Sequence, residues 1–146
     1  MRMNDSKLRS VKSRVLVRSF GAAILLLLLS TSFSAQTKAN NWLQGTWEGT
    51  GYQIDDQSTW TMLFTARGGR FTIDYPSLNC GGRWQLINID AYRARFKEKL
   101  DHGQDKCTDN GGVVIQRLSK RQIFFFYTIA GSREVTASAV LNRKKK

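Results

Sequence analysis

Few side chains in this sequence have the type and placement to do chemistry, and Glu98 is the most informative of them. It sits in a run where Tyr92, Ala94, Phe96, Glu98 and Leu100 alternate with Arg93, Arg95, Lys97 and Lys99. A period of two puts the carboxylate on the inward, apolar face of a strand. There it must find donors or change its protonation. Two roles are open. Glu98 accepts hydrogen bonds from loop backbone around Asn79, Gly81 and Gly82 and so fixes that end of the fold, or it orients a ligand held inside. Trp60, Tyr75, Trp84, Tyr92 and Phe96, together with Phe71, point to one face of their own segments. They are candidate walls of a ligand pocket, or simply the filling of a small core.

Catalysis finds little support. His102 is the only histidine, lies in a loop segment, and has no nucleophile beside it. Asp101, Asp105 and Asp109 share that segment, but their spacing departs from a calcium loop and Lys106 falls among them. The expectation is no catalytic residue, no metal and no cofactor.

The two cysteines, Cys80 and Cys107, lack the histidine partners of a metal site. They read instead as a disulfide, because the chain starts with an export pattern. A basic segment runs to Arg18, an apolar stretch follows from Phe20 to Leu29, and then come Ser30, Thr31, Ser32 and Ser34. The apolar run is shorter than the roughly 20 residues that span a bilayer. No cysteine lies nearby to carry a lipid. Residues 1–35 are therefore expected to be a signal peptide, cleaved after Ser34, Ala35 or Ala39. The mature protein is expected in the periplasm or outside the cell, where thiols oxidise.

The net charge of +12 suggests a polyanion partner, but its distribution argues otherwise. Residues 1–35 carry six basic groups against Asp5, and Arg143 to Lys146 add four more at the other end. The body between them is only mildly basic. Nucleic-acid binders concentrate Lys and Arg on the folded surface among stacking aromatics, so that class is not expected.

The elements that must position these residues are strands. Period-two segments recur about every ten residues, divided by turn residues. There are eight: 46–53, 58–66, 70–75, 82–89, 91–100, 112–119, 122–129 and 134–142. Short links suit antiparallel neighbours, and closure of an eight-strand meander removes two exposed edges. The fold class is thus all-β, an eight-stranded antiparallel up-and-down barrel over residues 40–143, with a basic tail at 144–146. Loops after strands one, three, five and seven share one end, the mouth. The cysteines follow strands three and five, so both belong there. Strand seven, with Phe124 and Phe126 besides Ile123, Phe125 and Tyr127, is apolar on both faces. Its outward pair is expected to be covered by local structure, with a partner contact as the alternative.

Gly45-Thr46-Trp47 resembles the Gly-x-Trp that opens the first strand of lipocalin-like (calycin) barrels. In that group a basic residue at the end of the last strand packs over this Trp. Here Arg143 follows Ala137, Ala139 and Leu141 at alternate positions. The resemblance implies that Trp47 and Arg143 close the barrel floor. A second likeness covers most of the chain: Tyr75-Pro76-Ser77-Leu78-Asn79-Cys80-Gly81-Gly82, Phe96-Lys97-Glu98, Cys107 and Leu141-Asn142-Arg143. It is similar to an uncharacterised bacterial secreted or periplasmic β domain, also found behind membrane-anchored Ser/Thr kinases. No kinase motif is present. The likeness implies a binding or sensory module without catalytic residues. The expected function is binding of a small apolar or amphipathic ligand, or of a cell-envelope component. A filled, purely structural or protein-interaction barrel is the alternative, and an inner cavity separates the two.

Overall fold

A computed structural model describes residues 42–145; the expected signal peptide lies outside the described residues. Eight strands follow in chain order: β1 (Gly45–Gln53), β2 (Thr59–Arg67), β3 (Arg70–Tyr75), β4 (Cys80–Ile89), β5 (Arg93–His102), β6 (Gly112–Arg117), β7 (Gln122–Thr128) and β8 (Val135–Arg143). Each pairs antiparallel with its sequence neighbour, and β1 pairs with β8 to close the barrel. Alternation dictates the core. In β5, Ala94, Phe96, Glu98 and Leu100 are buried, while the intervening Arg and Lys residues face water.

Two boundaries depart from expectation for local reasons. The Asp90 carboxylate accepts from the Tyr92 and Arg93 N–H groups at 2.7 and 2.8 Å. This Asx turn delays β5 to Arg93. At the other end, Cys80 and Gly81 are not in a loop but pair with Tyr75 and Asp74. The β3–β4 connection is therefore a four-residue turn, with Asn79 at φ 55°. Ser77 ties that turn to β2 by exchanging two hydrogen bonds with Thr61, at 2.9 and 3.1 Å.

The floor is closed by Trp47 and Arg143, which face each other across the β1–β8 seam. The guanidinium carbon lies 4.1 Å from the centre of the indole ring, a geometry favourable by about 0.5–2 kcal/mol. Arg143 also donates to the carbonyls of Gln44, Trp42 and Lys120. Gly45 has φ +123°, and a Cβ there would run into the guanidinium. The glycine of Gly-x-Trp thus serves both the backbone and the arginine. The tail is not simply solvated: the Lys144 N–H donates to Thr46 at 2.8 Å, and its ammonium pairs with Glu48 at 3.0 Å.

Above this floor the interior is packed with aromatic rings. Phe64 stacks on Trp84 at 4.5 Å, Trp84 on Phe125 at 5.7 Å, and Phe71 meets Phe96 at 5.0 Å. On the outer surface Phe124 and Phe126 meet edge to face at 4.3 Å. They stand half-buried, Phe124 between Gln116 of β6 and Val140 of β8, and Phe126 between Val114 and Ser138. Among the described residues no further element covers them, so the expected cover is only the shielding of their neighbours' side chains.

Candidate functional site

Toward the mouth the packing gives way. The inward positions of β1 and β8 there are small: Gly49, Gly51, Ala137 and Ala139. The Trp60 indole takes the space over Gly51 and Leu141 that beside Gly49, so of the four only Ala137 opens on unfilled volume. The result is a cavity of about 360 Å³, partly open to solvent at the mouth, within the range of small-molecule sites. The indole of Trp60 lies across Gly51, where even a Cβ would collide with it, and this fixes the ring as one side of the cavity.

Glu98 forms its base. The carboxylate is 2% exposed, and its donors are side chains rather than loop backbone, a correction to the expected role. The Tyr75 hydroxyl donates to Oε1 at 2.6 Å and Trp84 Nε1 donates to the same oxygen at 3.0 Å. Register explains this: Trp84 is the direct cross-strand partner of Glu98, whereas Gly82 pairs with Leu100 and Gly81, beyond a bulge at Asp101, with His102. Tyr127 also stands beside the carboxylate, but its hydroxyl donates to the Thr108 carbonyl at 3.0 Å. Tyr127 adds a further, lesser hydrogen-bonding contact to the carboxylate, and the Glu98 side chain lines the cavity.

Burial pushes the Glu98 carboxyl above the usual carboxylate range, and the bonds from Tyr75 and Trp84 only partly oppose it. Burial, then the charge of Glu98, drives the Tyr75 phenol well upward and the Tyr127 phenol upward as well. Both phenols therefore stay protonated and act as donors.

Of the aromatics singled out in the sequence, Trp60 and Tyr75 line the cavity. Trp84 reaches Glu98 from below, and Phe96 belongs to the ring stack beneath. Tyr92 does not belong to the site. It precedes β5, at the opposite end of the barrel, and is 71% exposed, because the Asp90 turn takes it out of the alternation. Leu78, Phe125 and Tyr127 were not anticipated as walls, nor Asp55, Asp56 and Lys106 as rim charges. The β7 alternation Ile123, Phe125, Tyr127 was the available signal for two of them.

Cys80 and Cys107 are joined with Cα atoms 6.5 Å apart, and Cys107 lines the mouth. Among the described residues no group of three His, Cys, Asp or Glu side chains converges as a metal site. Asp109 instead braces the β5–β6 loop. It accepts from the Leu100 N–H at 2.8 Å and pairs with Lys99 at 3.0 Å; the Leu100 bond, chiefly, lowers its pKa.

Replacing Glu98 tests this arrangement. Glu98→Leu leaves the Trp84 N–H without an acceptor and frees Tyr75. Lost satisfaction of a buried donor costs about 1–3 kcal/mol, part of which is offset by removing a desolvated charge. The expected loss is about 2 kcal/mol in urea unfolding. Glu98→Gln keeps an oxygen for both donors and should fold well. Because the native pKa is raised, ionisation of Glu98 opposes folding. The penalty is absent at pH values where the unfolded carboxyl is also protonated, and complete above the native pKa. The stability of Glu98→Gln relative to wild type should therefore rise with pH through that window. A flat difference would contradict the assigned burial.

The chain is similar in fold to a redesigned β-barrel of known structure, with TM-score 0.50 and 16% identity over 73% of this chain and 96% of that one. No protein-family model and no curated protein matches the sequence. The class defined by fold and site is an eight-stranded up-and-down barrel with a cavity at its mouth.

Proposed function

We propose that this protein is an exported, non-catalytic binding module that takes one small, partly apolar molecule, free or as part of a cell-envelope component, into the mouth of the barrel. The observation that carries the reading is the 360 Å³ cavity, walled by Trp60, Leu78 and Phe125 with a single carboxylate at its base. A wholly filled structural barrel would have a large side chain where Ala137 stands. The Gly45, Trp47 and Arg143 arrangement supports a lipocalin-like reading of the barrel, and the joined cysteines support an oxidising compartment. The bound molecule is expected to leave unchanged.

A neutral apolar fluorophore, N-phenyl-1-naphthylamine, tests the reading. It should bind saturably at one site per chain. Ala137→Phe projects a ring into the cavity and should weaken that binding about tenfold or more without lowering the melting temperature by more than a few degrees. Equal binding by the Ala137→Phe protein would overturn the assignment, as would the lack of saturable binding by this and every other small apolar or amphipathic probe tried.

A further inference from the structure

The charges around the cavity select among ligands. Its lining contains three carboxylates, Glu98, Asp55 and Asp56, against one ammonium, Lys106. None of the four belongs to an ion pair of the described residues. The barrel wall outside is of the opposite sign, with Arg93, Arg95, Lys97 and Lys99 exposed along β5. The cavity is thus a pocket of negative charge in a basic molecule. At its base Tyr75 and Trp84 both donate to Glu98 Oε1 and Tyr127 stands beside the carboxylate, so Oε2 keeps acceptor capacity on the cavity that this side chain, only 2% exposed, lines. Such an oxygen favours a ligand carrying N–H or O–H, and in a low-dielectric site a charged donor gains most.

We propose that the cavity selects a small organic cation, a protonated amine whose ammonium donates to Glu98 Oε2 and whose apolar body lies against Trp60 and Phe125. The assignment rests on the binding reading above and sharpens it. Aromatic faces beside the carboxylate favour a cation over a neutral group. Asp55 and Asp56, in the β1–β2 connection at the rim, add attraction at the entrance, where Lys106 alone opposes them. The raised Glu98 pKa is consistent with a carboxyl that lacks a compensating charge until a ligand supplies one.

Three probes of one shape separate the possibilities by calorimetry at pH 7: 4-phenylbutylamine, 4-phenylbutanol and 4-phenylbutyrate. On the oxidised protein the amine should bind at least about tenfold more tightly than the alcohol, with the acid weakest. Glu98→Gln should lose about 10- to 100-fold for the amine, the range of a charge-assisted hydrogen bond, and keep its affinity for the alcohol. If the alcohol or the acid equals the amine, the cation assignment fails while the cavity reading stands. If the amine keeps its advantage on Glu98→Gln, Glu98 is not its partner and the proposal also fails. If none of the three probes nor N-phenyl-1-naphthylamine binds, the binding reading itself fails. The wild-type comparison of amine with alcohol does not depend on how well the variant folds.

Discussion

With Cys80 and Cys107 both replaced by alanine, the protein should lose about 3.5 kcal/mol of stability and melt roughly 15 °C lower. The bridge spans 27 residues of sequence, so in the chain-entropy model its removal releases a large loop in the unfolded state. A domain of about a hundred residues has a net stability of only about 5–15 kcal/mol, which makes this one of the largest single terms available. The effect should also reach the site. Residues 103–111 form one side of the mouth and hold it through several contacts. Gly103, at φ +73°, packs directly on Cys80, Tyr127 donates to Thr108, and the Glu98 N–H donates to the Gly111 carbonyl at 2.9 Å. The last two survive the substitution, so the loop should loosen rather than detach, and probe affinity should fall less than stability does. Urea unfolding of oxidised, reduced and Ala-substituted protein measures the first effect, and probe titration the second. An unchanged midpoint would mean that the remaining hydrogen bonds restrain the loop as well as the sulfur bridge does.

The barrel was legible in the sequence because its strands alternate cleanly and its links are short. The β5 run shows this best: four cations facing water leave no second way to place Phe96 or Leu100. The mouth position of the cysteines followed from counting loops; Arg143 over Trp47 was implied by the likeness of Gly45-Thr46-Trp47 to the lipocalin-like opening, with parity along β8 turning the arginine inward. Tyr92 shows where parity fails. It continues the alternation of Ala94 and Phe96 in sequence, yet the Asp90 side chain captures two N–H groups ahead of the strand. Local side-chain-to-backbone bonding of this kind overrides a period-two pattern at its end.

The site was less legible, for two physical reasons. The donors to Glu98 depend on cross-strand register, and β4 and β5 carry a bulge at each end of their pairing, at Ile87 and Asp101. An extra residue shifts every partner beyond it, so Tyr75 and Trp84 could not be matched to Glu98 from spacing alone. The cavity depends on missing volume. Ala137 lines it together with Trp60, Leu78 and Phe125, which come from separate parts of the chain and meet only in the closed barrel. The alanine at an inward position of the last strand, Ala137, is the signal that would have located it.

Closure itself is tested most severely at Trp47. Trp47→Ala should cost about 4 kcal/mol, the range for removing a fully buried large aromatic side chain. The indole is completely buried, and its Nε1 donates to the Leu43 carbonyl at 2.8 Å, so its loss opens a void and orphans an acceptor together. Arg143 loses the ring beneath it but keeps its three carbonyl acceptors, which hold the guanidinium over an empty space. Burial already lowers the Arg143 pKa, with Arg117 adding to the effect; the group nevertheless remains cationic, so the charge is left with less to face. Arg143→Leu should cost less, about 2 kcal/mol, because the neighbouring carbonyls can take water at the half-exposed floor. In the double-mutant cycle the two residues should couple by about 1 kcal/mol, the worth of a partly desolvated cation–π pair. Probe binding at the opposite end should persist in every variant that folds. If the coupling is absent, Trp47 acts as core filling alone, and the arginine holds the seam through its carbonyl bonds.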